Sequence, residues 1–205
     1  MVEEEQNKED LELFEQLRLA SLLKRFPKRV VWAVFVFVNG FVTVAILAAM
    51  AMVWKTTFIF PSLGPTAFVF FFNPTSPAAS PRNAVVGHAI SILCGYGALW
   101  LTGLRYAPPA IVMGVGDPRI IAAAVSLAAT GAIMILFNVA HPPAAATTLI
   151  ISLGIITTPI HLCIIELAVV VLALQAILVN RLSGVNYPVW TERPGWADRG
   201  GGGVR

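Results

Sequence analysis

"NVAHPPAAATTLIISLG", Asn138 to Gly154, is the stretch whose reading decides the fold. An imidazole and two prolines interrupt an apolar run, and three alanines, two threonines and more apolar residues follow. Within a bilayer, an unpaired backbone N–H or C=O costs on the order of several kcal/mol. A membrane chain therefore breaks a helix only where protein or water can satisfy the freed groups. Proline lacks the N–H and suits a helix's first turn, where that donor would be orphaned anyway. The stretch thus predicts a helix opening at Pro142 and Pro143, with His141 at its cap. A second interruption lies upstream in "TFIFPSLGPTAFVFFF", Thr57 to Phe72, where Ser62 or Gly64 can precede a helix starting near Pro65.

Composition places both breaks in a membrane. The 205 residues are 57% hydrophobic and 12% charged, against about 25% charged in soluble domains. Seven acids lie between Glu3 and Glu15, and Glu192 and Asp198 lie near the end, which leaves Asp117 and Glu166 for everything between. The net charge of +3 is therefore a property of tails and loops and gives no argument for nucleic-acid binding. Cys94 and Cys163 fall inside apolar runs without CxxC or Cys/His ligand spacing, so no disulfide framework is expected. No cofactor or metal is expected either. The N-terminus is acidic, then amphipathic, then basic, which is not the pattern of a cleavable secretory signal.

Four runs meet the roughly 20 apolar residues a spanning helix needs: residues 30–53, 84–104, 120–137 and 160–179. Segments 57–72 and 142–156 are shorter or broken. The order long, broken, long thus occurs twice. Three crossings per unit would give the second unit the opposite orientation, and paired interrupted segments point to a transporter's binding site. The expected fold is an all-α membrane protein of about six transmembrane segments, a 3+3 inverted repeat with two broken or half-length helices. Residues 1–26 are expected to form an amphipathic cytoplasmic segment, 27–182 the membrane domain and 183–205 a disordered tail. With six crossings, eleven Lys and Arg fall on one side and Lys55, Arg105 and Arg119 on the other, out of 14 in all. That bias, led by Lys24, Arg25, Lys28 and Arg29, predicts both termini in the cytoplasm.

Each helix started inside the membrane leaves unpaired N–H donors and the positive end of its dipole at the break, a ready anion site. Thr66, Thr147 and Thr148 add hydroxyls within about a turn, and Ala144, Ala145 and Ala146 keep bulk away. Ionisable groups within a membrane are functional candidates by default. His141 and His88 are candidate pathway residues, with Arg82 and Asn83 at the entrance of His88's helix; His161 stands at a span edge. Glu166, the one acid well inside a span, can carry a coupling proton, pair with a histidine or arginine of another helix, or stay neutral.

"HPPAAATTLI" resembles the signature that names the HPP family of integral membrane proteins, and "PSLGPTAFVFFFNPTSPAASPRNAVVGH" is similar to that family's second hallmark block. The resemblance runs from about Val30 to Ile177. Alanines stand here where glycines often follow HPP, and Val86-Gly87-His88 where Gly-Gly-His is common. Members in chloroplasts and cyanobacteria are associated with nitrite transport, and others are attached to CBS domains, which are not expected in this short chain. The resemblance implies a transporter or channel for a small monovalent anion, with nitrite the leading candidate, rather than an enzyme. The motif residues carried over are Ser62, Gly64, Thr66, Arg82, Asn83, His88, His141, Pro142, Pro143 and Thr147, to which the helix-start reading adds Thr148. The partners expected are the anion, the bilayer and, as a candidate, a second copy of the chain. Two alternatives stay open: a non-transporting membrane scaffold, and a metalloprotein using His88, His141 and His161 with Glu166.

Overall fold

The structure, a computed structural model, describes residues 19–56 and 60–191. Residues 57–59 of the first broken segment, and both chain ends beyond these limits, lie outside the described residues. The order is α1 (Leu19–Arg25), α2 (Lys28–Trp54), α3 (Leu63–Phe72), a 3-10 turn (Pro77–Ala79), α4 (Pro81–Leu101), α5 (Ala110–Met113), α6 (Asp117–Leu136), α7 (Ala144–Ser152) and α8 (Pro159–Leu182). Four of these, α2, α4, α6 and α8, are long and apolar enough to cross a membrane. They begin and end within three residues of the runs read from the sequence. Proline sets several starts: Pro81, Pro118 and Pro159 each occupy the first or second helical position.

The two broken segments are half-length helices. With 10 and 9 residues, α3 and α7 rise about 15 and 14 Å, half of the roughly 30 Å hydrocarbon core. α3 runs back along α2, since Phe35 meets Phe71 at one level and Leu47 lines a small apolar cavity with Leu63 at another. α7 likewise runs back along α6: Met134 and Ala144 share a cluster, Thr130 meets Thr148, and Arg119 reaches Ser152. Packing partners exchange between the halves in the same way. α2 packs on α3 as α6 does on α7, α4 packs on α7 as α8 does on α3, and α4 packs on α6 as α8 does on α2. This is the inverted repeat, with α4 and α8 in contact across its axis. Residues Phe60, Phe70, Phe71, Leu99, Ile165 and Leu172 fill the core. Phe37, Phe41, Leu93 and Ile135 face outward, as lipid-facing residues should.

One face of the bundle gathers the start of α1, the start of α4, the end of α6 and the end of α8. Leu19 N donates to Ser183 O at 3.1 Å, Arg82 N to Trp190 O at 2.9 Å, and the Arg82 side chain to the end of α6. The opposite face holds the ends of α4 and α7 and the starts of α6 and α8, with Arg119 donating to Ser152 O and Ala110 N to Leu153 O.

α7 lies close on α4 because glycines remove bulk there. A Cβ on Gly95 would stand 2.9 Å from Ile151 Cβ and 3.0 Å from Thr148 O. One on Gly87 would stand 3.0 Å from His141 Cβ. With Ser91 between them, these form a small-residue row at every fourth position, the spacing that lets membrane helices approach.

Two expectations need correction. The tail is not without structure from residue 183. Residues 183–191 dock on the bundle, with Tyr187 only 1% exposed and its hydroxyl donating to Ala79 O. An aromatic ring that can bury its face and satisfy its one polar atom gains from packing. Nor does α7 open at Pro142. Pro142 and Pro143 form a turn closed by Ala144 N donating to His141 O at 3.1 Å, and the helix begins at Ala144.

Candidate functional site

Thr66 is the fourth residue of α3, and Thr147 the fourth residue of α7. Between them stands His88, two turns into α4. Its Nε2 is 3.0 Å from Thr66 Oγ1 and its Nδ1 2.8 Å from Thr147 Oγ1. His141, just before the turn that starts α7, places Nε2 3.2 Å from the same Thr66 hydroxyl and Nδ1 2.7 Å from Ala78 O. The two half-helix N-termini therefore converge on one polar cluster. All four side chains are buried, none more than 1% exposed.

With both imidazoles neutral, donor and acceptor chemistry allows one continuous chain of bonds, in which His141 Nε2 competes with Ser62 O for the single Thr66 proton. A carbonyl oxygen only accepts, so His141 Nδ1 carries the proton given to Ala78 O. His141 Nε2 is then bare and accepts from the Thr66 hydroxyl. The Thr66 oxygen accepts in turn from His88 Nε2–H, which leaves His88 Nδ1 bare to accept from Thr147 O–H. The result is one continuous chain from Thr147 through His88, Thr66 and His141 to Ala78 O, with each donor used once. Thr66 Oγ1 also lies 3.1 Å from Ser62 O. If His141 gains a proton at Nε2, the Thr66 hydroxyl can turn to Ser62 O and accept from the imidazolium.

The other residues read from the sequence take different places. Thr148 Oγ1 lies 2.8 Å from Thr130 Oγ1, which itself donates to Ser126 O. Ser62 is buried beside the cluster, and its Oγ has no hydrogen-bond partner among the described residues. Gly64 and Pro142 are exposed, Gly64 beside the apolar cavity near Thr43. Arg82 donates to Asn138 O, Phe137 O and Asn83 Oδ1, each at 3.1 Å, and so caps the C-terminal end of α6. Asn83 Nδ2 donates to Pro77 O and holds the 3-10 turn that presents Ala78. These two are positioning residues for the cluster, not members of it.

Glu166 is eighth in α8, as His88 is eighth in α4, and each of these helices starts at a proline preceded by Ser80 or Thr158. Both Glu166 carboxylate oxygens are buried without a hydrogen-bond partner among the described residues. The pairing of Glu166 with a histidine or arginine is therefore not found there. His161 lies in the first turn of α8, near the face opposite Arg82. Among the described residues no three His, Cys, Asp or Glu side chains come together, so the ligand set of the metalloprotein alternative is not assembled.

Sequence reasoning missed four participants. Thr130 and the Ala78 carbonyl carry no local signal. Gly87 and Gly95 do, because their spacing with Ser91 marks a close-packing row. The equivalence of His88 and Glu166 was visible by counting from Pro81 and Pro159.

The family model described as "HPP, transmembrane region" matches residues 25–188. No curated relative and no solved structure matches the chain. The match covers every element that builds the cluster, from α2 to the docked Tyr187, and the chain belongs to the HPP family of integral membrane proteins.

Proposed function

We propose that this protein is a transporter or channel for a small monovalent anion, with nitrite as the leading candidate, and that it is not an enzyme. The observation that carries this reading is the convergence of two oppositely directed half-helix N-termini on Thr66, His88, Thr147 and His141. Helix N-termini favour negative charge, most of all where water is scarce. An anion entering the cluster takes the His88 Nε2–H and the Thr66 and Thr147 hydroxyls as donors in place of their bonds to one another. Interrupted helices in corresponding positions of two inverted halves are the usual place for such a site. Glu166, at the position in α8 that His88 holds in α4, is the candidate for a coupling proton. Both termini face the cytoplasm in this reading, which agrees with the basic face formed by Lys24, Arg25, Lys28, Arg29, Arg82 and Arg181.

A second reading has one observation in its favour. The four side chains satisfy one another, so the cluster can serve as a polar staple in a non-transporting scaffold. Flux into proteoliposomes separates the two. Purified protein should admit nitrite faster than protein-free vesicles do, with nitrate, formate and chloride measured beside it. No flux of any of these anions would leave the scaffold reading standing.

A further inference from the structure

A groove of about 510 Å³ runs between α1 and α2, lined by Leu19, Leu22, Phe26, Val30, Val34 and Val38 among others. Its far end is Asn39, whose Nδ2 donates to Phe35 O at 2.8 Å within its own helix, and Ser183 is the other polar residue lining it. Val30 to Asn39 covers about 14 Å of helix rise, close to the roughly 15 Å hydrocarbon layer of one leaflet. An apolar channel of that length and depth fits an acyl chain.

The shallow end of the groove is basic. Lys24 and Arg25 close α1, Lys28 and Arg29 open α2, and all four are exposed. None of the four side chains has a hydrogen bond or ion pair among the described residues. Lys28 and Arg29 sit at the positive end of a 27-residue helix with no acid in its first turn and no side-chain cap from Pro27. Like charge at that end is unfavourable, and an anion there relieves it.

We infer that this groove binds an anionic phospholipid, with one acyl chain along α2 and the phosphate between Lys24, Arg25, Lys28 and Arg29. A free phosphate would satisfy the charges but leave the apolar groove unfilled. A zwitterionic lipid would fill the groove but bring no net charge to the four cations, which have no partner among the described residues. Basic clusters beside a transmembrane helix draw anionic lipid in this way. The site is independent of the anion path and does not depend on the transport reading.

Trp32 reports on the groove, because its ring stands 5.6 Å from that of Phe35, which lines it. The test uses the full chain with Trp54, Trp100, Trp190 and Trp196 changed to Phe, reconstituted in vesicles containing brominated phosphatidylglycerol or brominated phosphatidylcholine. Trp32 fluorescence should be quenched more by the brominated phosphatidylglycerol. Changing Lys24, Arg25, Lys28 and Arg29 together to Gln should abolish that preference. Val34→Phe, which fills the groove and keeps the charges that orient the chain, should reduce quenching by the anionic lipid. Equal quenching by the two lipids in the parent protein overturns the proposal, as does a preference that survives both variants. Weak quenching by both lipids that rises when residues 1–18 are removed overturns it too, since the chain's own N-terminus would then occupy the groove.

Discussion

His88 and His141 stand with ring centroids 5.3 Å apart and share a single hydroxyl, that of Thr66. His141 Nδ1 donates to Ala78 O, so its bare Nε2 can only accept from that hydroxyl, whose oxygen is left to accept from His88 Nε2–H. The neutral cluster therefore holds His141 protonated at Nδ1 and His88 protonated at Nε2. Nitrogen-15 NMR of protein with labelled histidine reads this directly, because a bare ring nitrogen resonates well downfield of a protonated one. The expected spectrum shows opposite tautomers for the two residues; the same tautomer for both would break the derived chain of bonds.

Thr66→Val removes the shared hydroxyl while keeping the side chain's volume. It leaves His88 Nε2–H and His141 Nε2 buried without their partner. An unsatisfied buried polar group costs about 1–3 kcal/mol, so the thermal midpoint in detergent should fall measurably. The opposite tautomers should also no longer be enforced, which a change of packing alone would not produce.

Gly95→Ala should destabilise the fold by about 1–3 kcal/mol through overpacking, because its Cβ meets the Ile151 side chain and the Thr148 carbonyl. Gly97→Ala is the control. Nothing lies within 4 Å of a Cβ there, and alanine in a helix is favoured over glycine by about 0.5–1 kcal/mol. Opposite signs are expected when both variants are unfolded side by side, and equal effects would contradict the packing of α7 on α4.

Gly154 makes two demands at once. Its φ is +79°, and a Cβ would stand 2.9 Å from Arg119 Nη1. That guanidinium donates to Ser152 O at 3.1 Å and Pro108 O at 2.9 Å, closing the C-terminal end of α7. Gly154→Ala should therefore cost more than the about 1–2 kcal/mol of left-handed strain alone. Pairing it with Arg119→Gln tests the contact, because the two effects should combine to less than their sum.

Burial pushes the Tyr187 phenol above its ordinary range. The folded state then holds the proton that the unfolded state gives up near pH 10. A raised folded value means that the tyrosine's contribution is complete below about pH 10 and is lost as pH rises beyond it. Thermal unfolding from pH 8 to 11 should show stability falling at the alkaline end. Tyr187→Phe should flatten that fall while lowering stability at pH 8, where the bond to Ala79 O is lost. An identical alkaline fall in the variant would assign the loss to other groups.

The broad fold was legible because hydropathy is a property of runs. Val30 to Val53 or Ile160 to Val179 can hardly be anything but a span, and prolines at 61, 65, 142 and 143 mark where the short elements break. His88 and His141 stood out as lone polar groups among apolar neighbours. The pairings between them were not legible, since Thr66 and His141 are 75 residues apart in sequence and nothing local encodes a register between helices. Arg82 and Arg119 were read as charges, whereas the structure uses them as forked donors for helix ends. That role depends on which carbonyls the fold brings near. Tyr187 was hidden because a single buried aromatic beyond the last span carries no periodicity.

The most direct measurement of the central claim is nitrite uptake into proteoliposomes by the wild type, Thr66→Val and Gly64→Ala. Both changes fall within the first two turns of α3, but Thr66 bonds both histidines while Gly64 faces away from them. If the converging N-termini form the anion path, wild type and Gly64→Ala take up nitrite alike. Thr66→Val should then lose about ten-fold or more, the order expected for removing a buried donor. Equal uptake by all three would show that nitrite does not pass the cluster, and uptake by none would contradict transport itself.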